Sequence, residues 1–294
     1  MNAAKPTPAS HDDQPALAPD AEPPILCTTQ GGVFHIELNR PATRNPLGAD
    51  TVDALSQAVA QAGAQDEVRV ILITARGQAF SAGGNLGNLS ERLQAAPGLD
   101  GQDPIALGNR RYGAFLEQLV NSPKTTVVAV SGAAMGGGAG LVCAADIAIG
   151  AVGARFGFPE TSIGLVPGQI LPFVAARVGV QAARRLMLTG ERIDAAEAHR
   201  IGLLDHLVAS PEDLRARTDS LLAMLTAAAP VASAKTKQML RGMRSDAAWP
   251  AAELQAYLDQ ASHLFARQMR TEAIEGVAAS RAKRAPAWGR PASP

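Results

Sequence analysis

The chain has 294 residues but only two cysteines, no excess of either charge, and no apolar run long enough to span a membrane. Cys27 and Cys143 lie far apart in sequence, and Cys143 sits in an apolar stretch. Two such residues make neither a disulfide framework nor a zinc cluster, so no metal is expected. Lys and Arg number 27 against 27 Asp and Glu, which removes any reason to expect a nucleic-acid surface. The N-terminus has no apolar segment of the kind that drives secretion, and the expected location is the cytoplasm. What the chain does have is a hydrophobic content of 47%, enough for a sizeable core in one large domain or one plus a small helical subdomain.

Three parts are expected. Residues 1–24 carry Pro6, Pro8, Pro15, Pro19, Pro23 and Pro24 among Ala, Asp and Gln, and read as a disordered tail. Residues 25–210 alternate strand and helix patterns: Val33 to Leu38 alternates as a strand, and Ala49 to Ala62 has helical periodicity. Leu86 to Gly108, with Pro97, Gly98, Gly101 and Pro104, reads as a mobile loop beside a pocket, leading into a helix over Ile105–Val120. Residues 211–294 are Ala-rich and helical, with breaks near Pro230 and at Trp249-Pro250. Repeated strand-then-helix units argue for an α/β fold.

The most informative stretch is Ser131 to Leu141, which holds Gly136-Gly137-Gly138. The apolar run Thr125 to Val130 leads into it, and Leu141 to Asp146 reads as a short buried helix. A strand that breaks into glycines before a helix leaves bare N–H groups that favour negative charge. Three readings compete. A dinucleotide site fits poorly, because Gly138 to Cys143 lacks the third glycine of G-x-G-x-x-G and lies mid-chain. A phosphate loop fails for want of Gly-Lys-Ser/Thr. Close helix packing and oxyanion binding both remain open on this segment alone.

Two further segments bear on the choice. Val68 to Ala75 is a dense β-branched run that ends in another small-residue turn, Ala79-Phe80-Ser81-Ala82-Gly83-Gly84-Asn85-Leu86. Two such turns could supply two N–H donors to one oxygen, a large contribution in acyl-group catalysis. Downstream, Glu160 stands among apolar residues in Phe156-Gly157-Phe158-Pro159-Glu160. It reads either as a surface-turn glutamate or as a base whose pKa is raised by desolvation.

In order and spacing these blocks resemble the enoyl-CoA hydratase/isomerase, or crotonase, family over about residues 25–290. Asn39-Arg40-Pro41-Ala42-Thr43-Arg44-Asn45-Pro46-Leu47 is similar to its N-R-P-x-x-x-N-A-L loop. Phe80 to Leu86 is similar to F-x-A-G-x-D-L, with Asn85 in place of Asp. Gly136-Gly137-Gly138 matches the triple glycine, and Pro159-Glu160 with Gly164 and Pro167 matches P-E-x-x-x-G-x-x-P. Thr189-Gly190 and Ala195 to Leu203 resemble a later helix signature. The resemblance implies an α/β crotonase-like spiral of repeated ββα units with a C-terminal helical trimerisation region. It implies an acyl-CoA thioester as substrate, with no cofactor beyond the coenzyme A that the substrate carries, and a homotrimer or dimer of trimers. By the same resemblance, the N–H groups of Ala82 and Gly137 form an oxyanion hole and Glu160 is the acid/base. Ala42, Arg44, Ser81, Gly84 and Gly136 line the substrate site, and Lys283 meets a CoA phosphate, sometimes in a neighbouring subunit. The bland reading of Lys283 is a solvated basic helix end.

One departure matters. Many hydratases of the family carry a second glutamate in G-G-G-x-E-L, where this chain has Gly140. A lone Glu160 suits double-bond migration. It suits hydration if another group, or a carboxylate on the substrate, orients the water. A branched glutaconyl-type substrate would use space left by Gly140, and Ile163 to Val174 is similar to the bacterial methylglutaconyl and isohexenylglutaconyl hydratase branch. Glu117, Gln118 and Tyr112 are candidate replacements for the missing polar group. Asn85 reads as a turn residue, and His199 and His206 as structural. Ser81 does not meet G-x-S-x-G. A non-catalytic acyl-CoA binder is the alternative from another class.

Overall fold

The computed structural model describes residues 23–84, 103–242 and 251–286. Residues 1–22 of the tail expected over 1–24, Asn85, most of the loop expected over 86–108 and the Trp249-Pro250 break lie outside them. Pro24 O and Pro23 O, by contrast, accept from Asn39 N and Asn39 Nδ2 at 2.9 and 3.1 Å, so the end of the expected tail is tied to the fold. The end of that loop corrects the expectation, because Pro104 to Gly108 are already helical. The Asp103 side chain caps this helix by accepting from Ile105 N at 2.9 Å and Ala106 N at 3.5 Å, and proline suits a first turn whose N–H is unpaired anyway.

Strands β1 (Ile25–Gln30) and β2 (Val33–Leu38) form an antiparallel hairpin. Gly31 and Gly32 close it at φ 57° and 81°, the left-handed pair that a two-residue hairpin turn needs. Strands β3 (Val70–Ala75), β5 (Thr125–Val130), β7 (Ile147–Ala151) and β10 (His206–Val208) join in parallel, in the order β1-β2-β3-β5-β7-β10. Their near-continuous apolar runs follow from burial on both faces. Ile71, Ile73, Val128 and Val130 face the main core, with Leu55 and Val59 of α1 (Ala49–Ala64) and Leu141 of α3 (Gly137–Ala144). The alternate residues Val70, Leu72, Val127, Ala129 and Ile149 pack on Leu214 and Leu221 of α6 (Pro211–Ala227).

A second sheet takes the order β4-β6-β8-β9. Its strands are β4 (Ala79–Ser81), β6 (Ala133–Met135), β8 (Arg155–Gly157) and β9 (Arg192–Asp194), the last antiparallel to β8. Each of β3, β5 and β7 is thus followed by a short strand in the other sheet, and the unit repeats as ββα. The expected helix over Leu141–Asp146 starts earlier, at Gly137. Asp146 leaves it to accept hydrogen bonds from Thr126 N at 2.7 Å and Thr126 Oγ1 at 2.9 Å.

The remaining helices close the site. They are α2 (Pro104–Asn121), α4 (Leu171–Thr189, broken at Gly179 with φ 77°) and α5 (Ala195–Arg200). Three more follow α6: α7 (Pro230–Gly242), α8 (Ala251–Met269) and α9 (Glu272–Arg281). Helix α8 lies along α2, tied by Arg110 Nε to Asp259 at 2.7 Å and by the Arg270–Asp103 ion pair.

Candidate active site

The first turn of the site leaves β4 and is held from beneath by Asn45. Its Nδ2 donates to Arg76 O at 2.9 Å and Ala79 O at 3.0 Å, and its Oδ1 accepts from Arg40 N at 2.7 Å. Arg44 and Asn45 adopt left-handed φ values of 62° and 52°, which places the carbonyls of this loop against the turn. Ser81 is fully buried, with Oγ donating to Asn45 O at 2.7 Å and accepting from Gly83 N at 3.1 Å. Ser81 therefore shapes the turn and does not face a ligand, a correction to its expected substrate contact. Ala82 is corrected too, because its N–H donates to Arg44 O at 2.8 Å and is not free for an oxyanion. Two residues on, Gly84 lines the cavity, and its N–H donates to no described residue.

The second turn leaves β6. Gly136 takes φ 51° and ψ −120°, its N–H donating to Gly157 O at 2.8 Å, and α3 starts at Gly137. As a first-turn N–H, that of Gly137 has no intrahelical acceptor, and it carries the positive end of the helix. The two turns touch: a Cβ on Gly83 would stand 2.6 Å from Met135 O and 3.4 Å from Gly137 N. Only a residue without a side chain permits that approach.

Both turns open on a cavity of about 710 Å³ whose apolar wall includes Leu47, Val52, Ile163, Leu165, Ile170 and Phe265. Glu160 enters it from a 3-10 turn, Glu160–Ile163, that follows β8 and ends at left-handed Gly164. Its Oε2 is buried with no hydrogen-bond partner among the described residues. Burial pushes its pKa up to about 7, with its own backbone N–H pulling the other way. A Cβ on Gly136 would meet Glu160 Oε1 at 2.8 Å.

Tyr112 and Asn109, one turn apart on α2, face the same cavity. The Tyr112 hydroxyl donates to Gly137 O at 2.5 Å. Burial, and after it the Glu160 charge, holds this phenol well above its ordinary pKa, so it stays protonated. Asn109 Oδ1 is buried without a described partner.

Glu117 and Gln118 do not reach the site. Glu117 pairs with Arg110 at 3.5 Å and Gln118 Nε2 donates to Ser56 O at 3.0 Å. The space expected at Gly140 is also missing, because a Cβ there would stand 2.4 Å from Ile170 Cγ2. Ile170 fills the volume that a second carboxylate would need. Ala42 and Arg44 are exposed on the loop beside the first turn. Lys283 is exposed just past α9, outside the cavity lining. His199 Nδ1 bonds Leu204 O at 3.0 Å and His206 Nε2 bonds Arg217 at 2.9 Å, both structural contacts. Gln169 was not singled out from the sequence. Its Nε2 donates to Leu258 O at 2.7 Å while its Oε1 packs on Gly113, joining α8 and α2 across the cavity wall. Among the described residues, no three His, Cys, Asp or Glu side chains cluster so as to hold a metal ion.

The Enoyl-CoA hydratase/isomerase family profile matches residues 28–291. The chain belongs to the enoyl-CoA hydratase/isomerase family. It is 30% identical to the short-chain-enoyl-CoA hydratase of Clostridium acetobutylicum, over 76% of this chain and 83% of that protein. It is 34% identical to the mouse mitochondrial enoyl-CoA hydratase domain-containing protein 2, over 91% of this chain and 88% of that one. An enoyl-CoA hydratase/isomerase structure from Marinobacter aquaeolei superposes with TM-score 0.73 at 34% identity, covering 90% of this chain and 98% of the other. AtuE of Pseudomonas aeruginosa superposes with TM-score 0.71 at 36% identity, with the same coverage. The two-sheet ββα repeat is accordingly the crotonase-like fold, with helices at its C-terminal end. The site described above lies within the residues that the family profile matches. Among the described residues, no helix is long and apolar enough to cross a membrane.

Proposed function

We propose that the protein is an enoyl-CoA hydratase that adds water to the double bond of a 2-enoyl-CoA thioester. The observation that carries this reading is the buried carboxyl of Glu160, whose Oε2 has no partner among the described residues, beside the abutting Gly84 and Gly137 turns. The thioester oxygen sits between the N–H groups of Gly84 and Gly137. Glu160 takes a proton from water as the water oxygen bonds to C3, and the π electrons move to the thioester oxygen as an enolate. The enolate then collapses, and C2 takes the proton from Glu160. One carboxyl serves as base and then as acid, which a pKa of about 7 favours. Preorganised N–H donors stabilise the charge only as it develops. No metal or further cofactor takes part. The apolar wall favours an uncharged acyl chain. A glutaconyl-type substrate would depend on Arg111 at the cavity, which is paired with Asp53 at 3.0 Å. Two free cysteines and no membrane-spanning helix among the described residues suit the cytoplasm.

The second reading is a 3-enoyl-CoA isomerase, favoured by the absence of any carboxylate at Gly140. Glu160 would then carry one proton from C2 to C4. Purified protein given 2-enoyl- and 3-enoyl-CoA separates the two by product mass: water adds 18 Da on hydration, roughly one bound water per acyl chain, and nothing on migration. The Glu160→Gln protein is expected to lose about 10²-fold or more in kcat, together with the rise of kcat/KM through pH 7 that the raised Glu160 pKa predicts for the wild type. Wild-type turnover in that variant would remove Glu160 from the mechanism, whereas a wild type that binds enoyl-CoA but turns over neither substrate would leave an acyl-CoA binder.

A further inference from the structure

Water that attacks an enoyl thioester gives up one proton and keeps the other on the oxygen that becomes the 3-hydroxyl, so both of its O–H groups need acceptors to aim it. Glu160 accepts one, and the usual position for a second carboxylate is closed by Ile170 packed on Gly140. A hydratase built this way needs another acceptor in the cavity.

Tyr112 meets the requirement on three counts. It lines the cavity, with its ring edge against Gly137, where a Cβ would stand 3.4 Å from Tyr112 Cε1. Glu160 flanks the adjoining residue, Gly136, and its charge is felt at the Tyr112 phenol. The single O–H of Tyr112 is spent on Gly137 O, so what its oxygen can still offer is lone pairs. A protonated phenol with its donor committed orients water as an acceptor and transfers no proton. Asn109 Oδ1, buried one turn earlier without a described partner, is a further acceptor on a residue that lines the same cavity.

We propose that Tyr112 is the second water-orienting group of this site, standing in for the carboxylate that Gly140 lacks. The inference rests on the hydratase reading above. The competing role is purely structural: by bonding Gly137 O, the hydroxyl could merely hold the oxyanion donor in place. Gly137 O already lies in the first turn of α3, where the N–H of residue 141 also bonds it, so loss of the hydroxyl leaves that carbonyl satisfied.

The experiment measures two quantities on Tyr112→Phe and on protein with 3-fluorotyrosine at position 112, whose oxygen is a weaker acceptor of nearly unchanged shape. The first is kcat for hydration. The second is binding of acetoacetyl-CoA, whose enolate absorbance reads the oxyanion hole without needing water. Hydration is expected to fall about 10²-fold in Tyr112→Phe and by a smaller factor with fluorotyrosine, while acetoacetyl-CoA affinity and absorbance stay at wild-type values. Parallel loss of both in the fluorotyrosine protein, which keeps the fold, would make Tyr112 a support for Gly137 and overturn the proposal. Unchanged hydration would overturn it equally. If the wild type shifts double bonds but adds no water, the hydratase reading itself fails, and that is seen before any variant is made.

Discussion

Glu160 is the residue on which stability and chemistry pull in opposite directions. Its pKa rises from an ordinary 4.5 to about 7 because its carboxyl is buried. As pH climbs from 4.5, the unfolded chain gives up this proton first, so the folded state holds more protons and loses stability until pH passes about 7. The cost above that point is of order 3 kcal/mol. Glu160→Gln removes the charge at nearly constant shape. Its melting temperature is expected to match the wild type near pH 4 and to exceed it by several degrees near pH 8.5. Thermal unfolding at the two pH values checks this, and an equal shift at both would mean the carboxyl is not buried. Glu160 and Gly137 were legible because glycine runs and a proline-flanked carboxylate mark the chain locally. The proposed second N–H donor was not, since Ala82 and Gly84 look alike until Arg44 O is found to occupy one of them. Nor was the closure at Gly140, which depends on Ile170, a residue whose apolar type says nothing about its direction.

At the level of elements, the short 3-10 turn that bears Glu160 has little of its own to hold it. Thr161 Oγ1 donates to Met187 O at 2.8 Å on one side, and α9 presses on the other. The approach of α9 is close: a Cβ on Gly276 would stand 2.3 Å from Ile163 O, and one on Gly164 would stand 2.6 Å from Glu272 C. Backbone atoms cannot yield as a flexible side chain does. Gly276→Ala is therefore expected to cost roughly 1–3 kcal/mol by overpacking and to lower kcat by displacing the turn, with Glu160 still present. Denaturant unfolding and steady-state kinetics read the two effects together, and a variant normal in both would show that α9 does not back the turn. The long strands were readable from their β-branched runs. The second sheet was not, because its strands have three residues each, too few for a period of two to register. Those strands matter most for function, as β4, β6 and β8 are the ones that release Gly84, Gly137 and Glu160 into the cavity.

For the molecule as a whole, the C-terminal helices carry apolar surface that this chain alone leaves uncovered. From 230 to 241, no residue of α7 is buried. Its deepest anchor is polar: Lys237 Nζ meets Asp146 Oδ2 at 2.6 Å and donates to Lys124 O at 2.9 Å. Meanwhile Val231, Met239 and Leu240 stand more than half exposed, at 71, 72 and 61%. Leu264 of α8 and Ile274 of α9 add to the apolar surface at this end of the chain. A helix with no buried face gains little from folding onto its own domain, since most helical stability in water comes from packing. Exposed apolar surface of this kind is stabilised when a partner covers it. The expected arrangement is a homotrimer, or two trimers stacked, in which other copies cover α7 and its neighbours. Light scattering on the wild type should then give a mass near three or six times the 30.4 kDa chain. Leu240→Glu together with Met239→Glu places two charges on that surface and should shift the mass toward the single chain. A wild type that runs as a monomer would remove the subunit contact altogether, and a double variant that assembles as before would put it elsewhere. In the first case the exposed leucine and methionine would be left without a covering surface.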